Sequence, residues 1–167
     1  MTEPGPTAMA SLHVRETSPD GSVTAEISFA SGLAIGFDAA RLRGHDDSSL
    51  SQELTAVVKA AQDRFGAAFD AALDRFRAPD GAPTPQRAAD TGDRDATREV
   101  VASGYSQRGR VRVRLAGDGR VKVALTAGTL AFLRGETDEL AAEVTEAVRR
   151  AQTDFRDAVT EIRRVRM

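Results

Sequence analysis

The chain has 167 residues, is 41% hydrophobic and 29% charged, and carries a formal net charge of −2 with no cysteine. That length suits one domain or two small ones with a real core, while the missing thiols exclude a disulfide framework and thiolate metal sites. No run approaches the roughly 20 apolar residues that span a bilayer, and the N-terminus lacks the basic and apolar regions of a signal peptide, so a cytoplasmic protein without membrane attachment is expected.

Residues 1–10 are proline, glycine and small residues, expected as a disordered tail. Residues 11–17 (SLHVRET) suit a short strand, and Pro19-Asp20-Gly21 is a turn signal. Val23, Ala25, Ile27 and Phe29 then alternate with polar residues, and after Ser31-Gly32 so do Leu33, Ile35 and Phe37, a period-two pattern with one buried face. A connection over residues 38–47, anchored by Leu42, leads to a helix. Ser48 or Ser49 is expected to cap it, with Gln52 three residues after Ser49 in a capping-box spacing. The helix should run to about residue 77, because Pro79 and the residues after it cannot continue it. Its apolar seam is Leu54, Val58, Ala61, Phe65, Ala68 and Ala72.

Residues 78–97 are polar, contain proline and lack periodicity, and are expected as a linker. The pattern then restarts. Residues 98–106 suit a strand and Gln107-Arg108-Gly109 a turn. Val111, Val113 and Leu115 alternate with Arg110, Arg112 and Arg114. Gly117-Asp118-Gly119 suits a hairpin turn, and Val121, Val123 and Leu125 alternate again. Leu130, Phe132 and Leu133 form an apolar connection, and Thr137 is expected to cap a second long helix with the seam Val144, Val148, Ala151, Phe155, Ala158, Ile162 and Val165.

The halves match. Strand positions correspond at an offset of 88 (Val23 with Val111, Ile27 with Leu115, Leu33 with Val121, Phe37 with Leu125). Helix positions correspond at 90 (Leu50 with Leu140, Val58 with Val148, Gln62 with Gln152, Phe65 with Phe155), so the second half holds two extra residues in its connection. Such a repeat sets the architecture. The expectation is an α+β fold of two βββα repeats, residues 11–77 and 98–167. A lone βββα unit buries little, so the repeats should pair as a single-chain pseudo-dimer, their long helices packed together, or exchange partners in a homodimer.

These stretches, GSVTAEISFASGLAIGFDAARL and GRVRVRLAGDGRVKVALTAGTL, each followed by a long helix with Ala-Gln-Asp or Ala-Gln-Thr near its middle, resemble the YbaB/EbfC family of nucleoid-associated proteins, including its divergent actinobacterial members. The resemblance covers most of the chain outside the tail and linker. It implies a tandem-duplicated member that binds duplex DNA in the nucleoid, without catalysis or cofactor. Some divergent relatives accompany secretion systems, so a protein-interaction or secretion-accessory module is the alternative.

The charge is unevenly spread. Residues 1–77 hold 7 basic and 11 acidic side chains, and residues 98–167 hold 14 and 10, so only the second half could supply a basic footprint. Arg110, Arg112 and Arg114 share a parity on one strand, and Arg120 and Lys122 extend it on the next. A five-cation face of this kind could neutralise phosphates; the alternative is a solvated face paired with helix carboxylates. The remaining candidates read as structural. His13 and His45 have no metal-ligand spacing and are expected on the surface. Asp46-Asp47 sits at a helix start. Gly117-Asp118-Gly119 lacks a following helix and the GK[ST] of a phosphate loop. Ser103, Ser106 and Thr126 show no nucleophile arrangement. Arg163, Arg164 and Arg166 suit a helix C-terminal dipole. Phe65, Phe69, Phe76 and Phe155 suit a core.

Overall fold

A computed structural model describes residues 7–77, 95–133 and 135–165. The expected tail (residues 1–10) and linker (78–97) fall largely outside these. Where they are described, Thr7–Ala10 forms one helical turn (α1) and residues 95–98 another.

Each half begins with an antiparallel meander. In the first, β1 (His13–Thr17), β2 (Val23–Ser28) and β3 (Gly32–Phe37) lie in the order β1-β2-β3. In the second, β4 (Val101–Tyr105), β5 (Val111–Ala116) and β6 (Val121–Leu125) repeat that order. The registers are equivalent: Ala25 faces Ile35 as Val113 faces Val123. The first turn of each meander is also the same. Gly21 and Gly109 take φ of 74° and 69°, and each donates its N–H to the serine three residues earlier at 2.9 Å. Only glycine adopts that backbone without strain.

A short helix follows each meander, α2 (Ala39–Leu42) and α4 (Thr129–Leu133), and then a long one, α3 (Asp47–Arg77) and α5 (Thr137–Val165). Leu42 and Leu130 anchor the short helices at 0% and 1% exposure. Two expected caps differ. Asp46, not Ser48 or Ser49, caps α3: its Oδ1 accepts the Ser49 N–H at 2.7 Å while Ser49 Oγ accepts the Asp46 N–H at 3.0 Å. A carboxylate at this end also suits the helix dipole. Thr137 is the first residue of α5 rather than the residue before it.

The inward residues of both sheets and the seams of both long helices form one continuous core, from Val23, Ile27 and Leu33 to Val113, Val123 and Val148. Burying a side chain such as Leu54 in it contributes about 1.5–3 kcal/mol. The long helices do not pack chiefly on each other. Helix α3 lies on β1 and β2 of its own sheet and on β6 of the other, and α5 lies on β4, β5 and β3. The reason is geometric. Each apolar seam has an apolar sheet face to cover, and a three-stranded sheet is wider than one helix. Each repeat therefore closes the other's interior.

Two hydroxyls fix the exchange on one side. Thr55 Oγ1 accepts the Val123 N–H at 2.9 Å while donating to the Ser51 carbonyl at 2.7 Å, and Ser51 Oγ accepts the Leu125 N–H at 3.0 Å. Asp47 extends the seam by accepting the Gly128 and Leu130 N–H groups at 2.8 and 2.7 Å. The buried helix positions end at Ala61 and Ala151, equivalent at the offset of 90. Beyond them both helices continue with half-buried seams, where Phe65 and Phe155 pack on the edge of the core and Phe69 stacks between Phe29 and Phe65 at 6.3 and 6.4 Å. The Phe76 side chain lies outside the described residues.

Candidate nucleic-acid interface

The alternation of β5 and β6 turns Val111, Val113, Leu115 and Val123 inward and leaves Arg112, Arg114 and Lys122 exposed on the opposite face. Arg114 and Lys122 are direct cross-strand partners, and Arg112 stands opposite Tyr105. The Arg112 guanidinium lies 5.5 Å from the Tyr105 ring centroid, a cation–π contact that fans the arginine over β4. Among the described residues, none of these three cations has a carboxylate partner, so the face carries three uncompensated charges.

The expected five-residue face needs two corrections. Arg110 precedes β5 and turns inward. Its guanidinium meets Glu143 at 3.2 Å and Glu139 at 3.7 Å, lies 4.3 Å from the Phe132 ring centroid, and is only 21% exposed. Parity put it with Arg112 and Arg114, but the strand has not begun at that position, so parity does not apply. Arg110 and the Ser106 hydroxyl, which donates to Glu143 Oε2 at 3.0 Å, together satisfy a carboxylate that is 6% exposed. Arg120 belongs to the β5–β6 turn, highly exposed and 2.6 Å from Asp118. The Arg120 backbone N–H, and less strongly its guanidinium, hold the Asp118 carboxyl below the ordinary carboxylate range.

Lys59 was missed, because it lies in the acidic half. Helix α3 sits beside β6, and the groove between them, of about 790 Å³, is lined by Lys59 together with Arg114, Arg120 and Lys122, and among the described residues by no carboxylate. No linear signal marks Lys59 as part of this group; only the exchange of helices brings it there.

The first sheet offers nothing comparable. At the offset of 88, the counterparts of Arg112, Arg114 and Lys122 are Thr24, Glu26 and Ala34. Its two basic residues are matched: Arg15 lies 3.3 Å and His13 3.9 Å from Glu26. The groove between α5 and β3, about 670 Å³, mixes Arg149 and Arg150 with Glu146, Asp154 and Asp157. The pseudo-symmetry of the backbone is thus broken in charge.

His45 is not the surface residue expected. Its side chain is 10% exposed, with Nε2 at 2.6 Å from Asp20 Oδ2 and Nδ1 at 3.0 Å from Ser49 Oγ. The Ser22 N–H first, then the Ser22 and Ser18 hydroxyls and His45, hold the Asp20 carboxyl well below the ordinary carboxylate range. An acid–imidazole–hydroxyl chain suggests nucleophilic chemistry, but Ser49 Oγ also accepts the Asp46 N–H and none of the grooves described above includes it. The chain clamps the β1–β2 turn to the start of α3. Among the described residues there is no group of three or more potential ligands that could hold a metal ion, and no helix is long and apolar enough to cross a membrane.

No family model, curated protein or solved structure matches this chain.

Proposed function

We infer that the protein is a non-enzymatic, nucleoid-associated DNA-binding protein that contacts duplex DNA through the exposed face of its second sheet. The supporting observation is the set of three cations, Arg112, Arg114 and Lys122, that lie on adjacent strands of one sheet and have no carboxylate partner among the described residues. Side chains two apart on a strand are about 6.6–6.8 Å apart, and neighbouring strands about 4.8 Å apart, so three phosphates can be met without rearrangement. The resemblance of both repeats to the YbaB/EbfC pattern points the same way. Binding of this kind is sequence-independent and weakens steeply with salt.

The test is fluorescence anisotropy of a labelled duplex at two salt concentrations. Wild-type protein should bind at low salt, and the Arg112→Ala/Arg114→Ala/Lys122→Ala variant should lose at least about tenfold in affinity while keeping its thermal unfolding midpoint. No binding at low salt, or equal binding by the variant, would reject the reading. The competing reading is a protein-interaction or secretion-accessory module, for which the mixed-charge groove between α5 and β3 is the natural surface.

A further inference from the structure

The cations of the second sheet do not stop at its edge. Arg120, in the β5–β6 turn, lines the groove beside α3 and also a second, adjoining cleft of about 800 Å³. This cleft lies where the two repeats meet, and the equivalent residues Gln62 of α3 and Gln152 of α5 both line it. Around it stand Arg98, Arg156 and Arg163, and among the described residues Asp63 is the single carboxylate in its lining. Asp63 is itself engaged by Lys59 at 2.6 Å.

We propose that this cleft is a second phosphate-contact site, and that duplex DNA leaving the sheet face runs over Arg120 and into it. The proposal rests on the DNA-binding reading and extends it. The groove and the cleft share Arg120 and lie on one flank of the molecule. Among the described residues their linings together set seven basic side chains against one acidic, whereas the α5–β3 groove sets two against three. Existing pairs on the flank do not block it. Arg98 with Asp95 at 3.5 Å, Arg120 with Asp118 at 2.6 Å and Lys59 with Asp63 at 2.6 Å are solvent-exposed pairs of a kind that contributes little to stability, and a phosphate can take the carboxylate's place. Arg156 makes no ion pair among the described residues. The glutamine amides, one from each repeat, can donate to phosphate oxygens where the helices converge.

The salt dependence of binding separates one site from two. Each neutralised phosphate contributes about −0.9 to the slope of log K against log salt. Contact by the sheet face alone gives a slope of about −3, or about a 60-fold loss between about 50 and 200 mM salt. Contact along the whole flank gives about −6, or about a 4,000-fold loss. The experiment is anisotropy with one duplex across a salt series, on wild type, on Lys59→Gln/Arg156→Gln, and on the sheet-face triple variant, each checked for an unchanged melting midpoint. The expected result is a wild-type slope near −6 that falls in magnitude by about 2 in the double variant. A wild-type slope near −3 that the double variant leaves unchanged would overturn the proposal while the sheet-face reading stands. No duplex binding at low salt would overturn both.

Discussion

Single residues here divide into those that hold the fold and those that face outward for contact, and Arg110 and Arg114 make the division testable. Arg110 neutralises a nearly buried carboxylate, so Arg110→Ala should destabilise the protein by about 1–3 kcal/mol in denaturant unfolding while changing DNA affinity by less than about twofold. Arg114→Ala should do the reverse. Gly104 is a packing residue: a methyl group there would collide with the Ala147 carbonyl and the Ala151 N–H of α5. Gly104→Ala should therefore cost about 1–3 kcal/mol, read as a lower denaturant midpoint at unchanged slope. Asp20 sets an acid limit. Its carboxyl is held below its ordinary value in the folded state, so it contributes stability above the unfolded carboxylate range near pH 4 and that contribution is lost as the pH falls further. The stability difference between wild type and Asp20→Asn should be flat above about pH 5 and shrink towards pH 2 in unfolding titrations.

At the scale of elements, the repeat was legible because it is written in period and spacing. Glycine turns, alternating strands and three- and four-residue seams each follow from local geometry, and the offsets of 88 and 90 survive in the structure at Ile27 with Leu115 and at Ala61 with Ala151. What period cannot say is which sheet a seam will meet. A seam such as Val58–Ala61–Phe65 records only that it is buried, so the placement of α3 on β6 and of α5 on β3 was not readable, nor was the recruitment of Lys59. Parity likewise misplaced Arg110, since a strand's first residue is not marked by alternation. The same hydrophobicity-led reading left His45 outside, because its partners Asp20 and Ser49 come from a turn and a helix start. The exchange itself has a check. Ser51→Ala with Thr55→Val removes the hydroxyls that complete the edge of β6, and should lower stability by about 1–3 kcal/mol and speed exchange of the Val123 and Leu125 amides.

The whole molecule is a backbone with approximate twofold symmetry that carries an asymmetric charge pattern. One core runs through both repeats, but their surfaces differ in charge. Thr24, Glu26 and Ala34 stand where the other sheet has Arg112, Arg114 and Lys122. If charge rather than shape determines contact, the protein engages DNA from one side only. An amide NMR titration with a short duplex tests this most directly. The account predicts shifts concentrated in β5, β6, the part of α3 from Ser48 to Asp63 and the part of α5 from Gln152 to Arg163, with the β1–β3 face unmoved. Comparable shifts on both sheets, or shifts confined to the first, would contradict it.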